Sequence, residues 1–211
     1  MLGKILSWLT CKIYLKKLEG IENLPKGGYI VAANHESYFD IWAMEMAFLL
    51  NTKKWIKFIA SKSLVNDPYF KYVGLLFKHD SNIPILIERE NPDTHFFEAA
   101  LQSLKKNYII GIYPEGSRSP NGKIQKGKTG AVRLALYTKS PIVPVGLKGT
   151  YEIMPKGSSI PKISKSIIMR IGKPIDYKAY YDTKDDKVLV RKLTDELMSE
   201  IAQLSNQKYQ P

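Results

Sequence analysis

Two hydrophobic periods alternate along this chain. Tyr29–Ala33 (YIVAA) is an unbroken apolar run behind the turn cluster Pro25-Lys26-Gly27-Gly28, which predicts a buried strand. Tyr108–Tyr113 (YIIGIY), ended by Pro114, predicts a second strand. Ile142–Leu147 and Ile167–Ile171 predict two more, and Trp55–Ala60 fits another. Ile83–Ile87 is also strand-like, with Pro84 against it. Between these runs, Ile41–Leu50, Thr94–Lys106 and Gly130–Thr138 predict helices, the second capped by Asp93 or Thr94. In Lys187–Leu204 the residues Leu189, Leu193, Leu197 and Ile201 recur every fourth position, the stripe of a surface helix. Strands alternating with helices predict a single α/β domain over residues 1–211, with a central, largely parallel or mixed sheet flanked by helices. Such folds carry their sites at the carboxyl ends of strands.

Composition narrows the class. With 211 residues, 44% apolar and 25% charged, the chain can bury a core without staples. Its one cysteine, Cys11, excludes an intramolecular disulfide and fits a reducing compartment. No apolar run reaches the ~18 residues of a membrane span. Met1–Leu9 lacks a cleavage site and reads as part of the mature protein. Met1–Leu18, with Trp8, Leu9, Tyr14 and Leu15, fits either a membrane-interface segment or a core helix followed by a strand over Lys12–Leu18. Thirty-two Lys and Arg against 20 Asp and Glu give a net charge of +12. An anionic partner follows: nucleic acid, a lipid headgroup layer or a phosphorylated substrate.

Two motifs follow strands. Asn34-His35-Glu36-Ser37-Tyr38-Phe39-Asp40 comes directly after YIVAA. On one continuous helix His35 and Asp40 would lie about 140° apart. With the helix beginning at Ser37, the acid can fold back to the imidazole and make it a general base. Ser37 to Asp40 equally fits a capping box, with His35 structural. Pro114-Glu115-Gly116-Ser117-Arg118-Ser119 follows YIIGIY, with Gln125-Lys126-Gly127-Lys128-Thr129-Gly130 beyond it. Glycine allows close backbone approach, the serines offer hydroxyls and Arg118 offers a planar fork suited to phosphate. Lys126 and Lys128 add point charges. The ordinary alternative is an exposed basic turn. No nucleophile elbow, Walker loop or metal-ligand spacing is present, and the histidines at 35, 79 and 95 are scattered.

The order of these motifs and their separation of about 75–80 residues resemble the glycerolipid acyltransferases, most closely the branch acting on 1-acyl-sn-glycerol 3-phosphate. Leu86-Ile87-Glu88-Arg89, Ile124-Gln125-Lys126-Gly127 and Pro141–Val145 resemble further blocks of that family. Ile83 stands where the second block usually has glycine, and Ser117 where the third often has threonine. The resemblance implies transfer of a fatty acyl group from a thioester to the 2-hydroxyl of lysophosphatidic acid, giving phosphatidic acid. It implies His35 as general base and Asp40 as its orienter. Arg118, Arg89 and Lys126 would hold the acceptor phosphate, and Glu115, Gly116 and Ser117 would shape the pocket, with Glu115 orienting Arg118 or binding glycerol. No cofactor or metal is implied. The donor is acyl-CoA or acyl-acyl carrier protein. The enzyme would work at the cytoplasmic face of an anionic membrane, peripheral or monotopic, with acyl carrier protein as a possible partner and no nucleic acid. Competing readings are a sister acyltransferase with another acceptor, a hydrolase, and a non-catalytic basic protein that binds membranes or nucleic acid.

Overall fold

The structure is a computed structural model that describes residues 2–62, 84–87, 95–158, 160–183 and 185–211, with only the backbone of residues 2–7 and His95. A first helix, α1 (Leu2–Tyr14), runs directly into strand β1 (Leu15–Glu19). The N-terminal segment is therefore a helix followed by a strand, with the boundary later than Lys12. Then come β2 (Tyr29–Ala33), α2 (Phe39–Thr52), β3 (Ile56–Ser61) and β4 (Ile85–Ile87). The chain continues through α3 (His95–Lys105), β5 (Ile109–Ile112), α4 (Gly130–Thr138), β6 (Ile142–Lys148) and the short α5 (Thr150–Ile153). It ends with β7 (Ile167–Ile171) and α6 (Lys187–Ser205). Pro84 stands just before β4, where a missing N–H costs the ladder nothing. Asp93 and Thr94, the expected caps of α3, lie outside the described residues.

The strands form one seven-stranded sheet in the order β1-β7-β6-β2-β5-β3-β4. Only β6 and β7 pair antiparallel. The sheet is thus mixed and largely parallel. Helices cover both faces, which is why all of β2 is buried and apolar. Alternate residues of β2 divide between two cores. Tyr29, Val31 and Ala33 face α2 and α5, while Ile30 and Ala32 face α3, α4 and α6. Among the described residues no helix is long and apolar enough to cross a membrane.

The connections fix where a site can form. From β2 the chain passes over one face, through α2, to β3. From β5 it passes over the other face, through α4, to β6. Right-handed crossovers in opposite directions demand opposite faces. The neighbouring strands β2 and β5 therefore part at their carboxyl ends, leaving a crevice.

Gly111 in β5 makes room beside this crevice. A Cβ there would meet Ile56 Cγ2 and the Phe58 ring at 2.6 Å. Gly111→Ala should destabilise the fold by ~1–3 kcal/mol through overpacking, read as a lower urea midpoint at unchanged m.

Candidate active site

Strands β2 and β5 pair in parallel with Ala32 opposite Ile112. Continued past the ladder, that register sets His35 against Glu115. The chain does meet there. The His35 N–H donates to Glu115 Oε1 at 2.7 Å, and the Ser119 N–H donates to the His35 carbonyl at 2.7 Å. The imidazole stacks on Tyr113 with centroids 3.9 Å apart, and Tyr113 stacks in turn on Phe58. The two motifs thus form one site through backbone bonds and a ring column.

His35 Nδ1 lies 2.8 Å from Asp40 Oδ2. The same oxygen accepts the N–H groups of Glu36 at 2.7 Å and Ser37 at 2.8 Å. An oxygen already accepting two amide protons is a carboxylate acceptor, so Nδ1 carries the proton. In the neutral imidazole Nε2 then keeps the lone pair. Asp40 is fully buried, while 11% of the His35 side chain reaches solvent. Among the described residues Asp40 Oδ1 has no partner, so Oδ2 carries the interactions. The reciprocal capping box does not form, because Ser37 Oγ bonds the Phe39 N–H at 2.9 Å and the N-cap position falls on Tyr38. The helix itself starts at Phe39. One carboxylate therefore serves both the turn before the helix and the imidazole.

Both oxygens of Glu115 accept backbone N–H groups. Its Oε2 accepts the Gln125 N–H at 3.0 Å, so its two oxygens brace the His35 loop against the second motif. No contact joins it to Arg118 among the described interactions. Burial pushes its carboxyl up to about 7. Gly116 turns at φ +72°, with the Lys128 side chain crossing it. Arg118 lays its guanidinium over the Tyr38 ring, 3.3 Å from the centroid. Ser117 is exposed on the same loop. Lys126 is exposed and its charge acts on Asp195 of α6, whereas Lys128 lies against the Gly116 turn. Arg89 lies outside the described residues.

Sequence reasoning missed three supports. Asn34 exchanges two hydrogen bonds with the Leu147 backbone, 2.7 and 2.9 Å, as one more strand residue would. Glu36 is buried and bonded to Asn34, Thr150 and Gln207. Gln207, beyond the last helix, also accepts the Ile124 N–H at 2.7 Å and donates to the Gly122 carbonyl. Partners 113 and 171 residues away leave no local signal. Among the described residues no group of three or more His, Cys, Asp or Glu could hold a metal ion.

Two predictions follow from these supports. Gln207→Ala strips partners from Glu36 and the Ile124 N–H and should cost ~1–3 kcal/mol in urea unfolding. Burial raises Glu36 and Glu45 from 4.5 to about 8, and Glu115 to about 7. The folded state therefore holds these protons more tightly, and stability is lost as pH rises through the folded values. Tm should fall between about pH 5 and pH 8.5. Glu45→Gln, which keeps an oxygen for the Ile56 N–H, should flatten part of that fall.

The family model described as Acyltransferase matches residues 16–148. The chain is 28% identical to a chloroplastic 1-acyl-sn-glycerol-3-phosphate acyltransferase of Brassica napus, over 94% of this chain and 54% of the relative. It is 28% identical to the 1-acyl-sn-glycerol-3-phosphate acyltransferase of Bacillus subtilis, over 92% of this chain and 88% of that one. The chain spans about half the length of the plant relatives it matches. The crystal structure of the 1-acyl-sn-glycerophosphate acyltransferase PlsC from Thermotoga maritima superposes with a TM-score of 0.67 at 26% identity, over 99% of this chain and 78% of that chain. Matched over more than half its length, and carrying a buried carboxylate–histidine pair at the mouth of two parallel strands, the chain belongs to the acyltransferase family.

Proposed function

We propose that this protein transfers a fatty acyl group from a thioester to the 2-hydroxyl of 1-acyl-sn-glycerol 3-phosphate, giving phosphatidic acid. The observation that carries the reading is the His35–Asp40 pair, with Nδ1 2.8 Å from a fully buried carboxylate oxygen. The names of the curated relatives support the choice of acceptor.

His35 Nε2 takes the hydroxyl proton as that oxygen attacks the thioester carbonyl. Asp40 holds the imidazole in the required tautomer and stabilises the imidazolium. The tetrahedral intermediate collapses, the C–S bond breaks, and the departing thiolate takes the proton back from His35. Ester and free thiol are the products, and the base is regenerated. Arg118 holds the acceptor phosphate with its N–H edge, helped by Lys128 across Gly116, by Lys126 and by Arg89. Ser117 offers a hydroxyl at the rim. Glu115 acts through backbone, as a positioning residue for the His35 loop.

Acyl-CoA and acyl-acyl carrier protein are both anionic, and either suits a chain of net charge +12. With a cytoplasmic thioester as donor, the site faces the cytoplasmic side of the membrane that holds the acceptor. Residues 1–211 act as one acyltransferase domain, with residues 1–18 at the membrane interface. Trp8, Leu9 and Ile13 of α1 are exposed, and Lys12 sits 4.7 Å over the Trp8 ring, a pairing suited to a headgroup layer.

The test is acyl transfer from each labelled thioester to lysophosphatidic acid in anionic vesicles. His35→Ala should lower kcat by ~10²–10⁴. Arg118→Ala should raise KM for the acceptor by ~10–100-fold, the loss of a charge-assisted contact. Full activity in His35→Ala would overturn the mechanism. Activity only with another lysophospholipid would overturn the acceptor.

A further inference from the structure

The loop between α5 and β7 is apolar where it should be polar. Ile160 is 79% and Ile163 84% exposed, although burying a side chain of this size is favourable. Lys156, Lys162 and Lys165 are exposed around them, and no acidic residue occurs from 155 to 166. The loop is nevertheless anchored. The Lys162 N–H donates to the Ile153 carbonyl at 2.9 Å, and Ser166 Oγ donates to the Gly149 carbonyl. Ser158 closes a turn on Pro155, and its hydroxyl donates to the Ile160 carbonyl. The isoleucines are thus held out by a tied base.

That base belongs to the site. Ser37 Oγ, from the His35 motif, donates to the Met154 carbonyl at 2.6 Å. Ile153 and Met154 pack in the same core layer as Cys11 and Tyr14 of α1. The base of the loop and the packed side of α1 therefore belong to one core layer.

We infer that the 156–165 loop is a membrane-docking element, with Ile160 and Ile163 entering the boundary between headgroups and acyl chains of an anionic bilayer. Lys156, Lys162 and Lys165 would lie at phosphate level, where basic residues are attracted to anionic lipid. Irregular backbone is acceptable at this depth, because interfacial water satisfies its polar groups. It would not be acceptable in the hydrocarbon. This inference rests on the proposed function for the identity of the membrane-borne acceptor, and deepens it. A loop tied to Ser37 would bring the His35 pocket to the layer that holds the acceptor. A carrier protein is the competing occupant. The apolar tips favour lipid over an acidic protein surface, which the lysines alone would serve.

The experiment compares wild type with Ile160→Ser/Ile163→Ser by sedimentation with phosphatidylcholine vesicles containing phosphatidylglycerol. The expected result is a loss of about tenfold or more in partitioning, with Tm unchanged because neither side chain is packed. Transfer to long-chain acceptor in vesicles should fall in parallel. Transfer to a short-chain, monomeric lysophosphatidic acid should not change. In a Cys11→Ser background, Ile163→Cys carrying an environment-sensitive dye should shift to the blue on vesicle addition and be quenched by brominated acyl chains. Equal partitioning of the double variant together with a dye that stays in water would overturn the inference. So would unchanged vesicle binding with a selective loss of transfer from acyl-acyl carrier protein, which would assign the loop to the carrier. If wild type transfers nothing to either acceptor, the proposed function fails, while the partitioning and the dye still decide the loop.

Discussion

One oxygen atom organises this site. Asp40 Oδ2 accepts from His35 Nδ1 and from the Glu36 and Ser37 N–H groups, all within 2.8 Å. The two amide bonds shape the turn between β2 and α2, and the third bond sets the imidazole. A carboxylate that starts a helix also gains from the helix dipole. Structure and chemistry therefore share one group, and the acid cannot be lost without loosening the turn that carries the base. Among the described residues, the cost of burying it is met by three donors.

The second constraint is topological. Two parallel strands that part to opposite faces leave backbone groups without sheet partners, and the loops must supply them. They do so largely through buried carboxylates and amides. Glu115 ties the His35 N–H to the Gln125 N–H, and Asn34 extends the ladder onto Leu147. Gln207 reaches from beyond α6 to the 122–124 turn and to Glu36. A strongly basic molecule thus keeps a knot of buried acids behind its site. Burial raises Glu36 and Glu115 towards neutrality, which lowers the like-charge penalty of placing them near Asp40.

Much of this was legible in the chain. Tyr29–Ala33, Gly130–Thr138 and Ile167–Ile171 lie where the apolar runs put them, because parallel strands and packed helices are written as continuous or periodic apolar residues. Both motifs stood directly after strands, so their meeting needed only that the two strands be neighbours. The finer roles were not legible. Glu115 read as orienting Arg118 or binding glycerol, and nothing in the spacing showed that its oxygens serve two amides, one of them 80 residues away. Lys126 and Lys128 are indistinguishable as charges, but only the chain path shows that Lys128 crosses Gly116. Backbone amides as partners leave no mark on side-chain spacing.

The proposed direct attack also explains how the hydroxyls near the base are used. A His–Asp pair will activate any free hydroxyl within reach, including a serine of its own loop, which would lead to an acyl-enzyme. Ser37 Oγ donates to Met154 and accepts from Phe39, and Ser119 Oγ donates to the Lys123 carbonyl at 2.7 Å. Thr150 Oγ1 is bonded to Glu36. Each of these hydroxyls would have to break a buried or half-buried bond before it could turn to His35. The Cys11 thiol is pushed up to about 11 by burial, which leaves it without thiolate character at neutral pH. These three hydroxyls are thereby engaged while Ser117 stays exposed at the rim, and in the proposed mechanism the hydroxyl that meets His35 Nε2 is the one that arrives with the substrate. The same commitment that rigidifies the loop thereby favours a single displacement over a covalent intermediate.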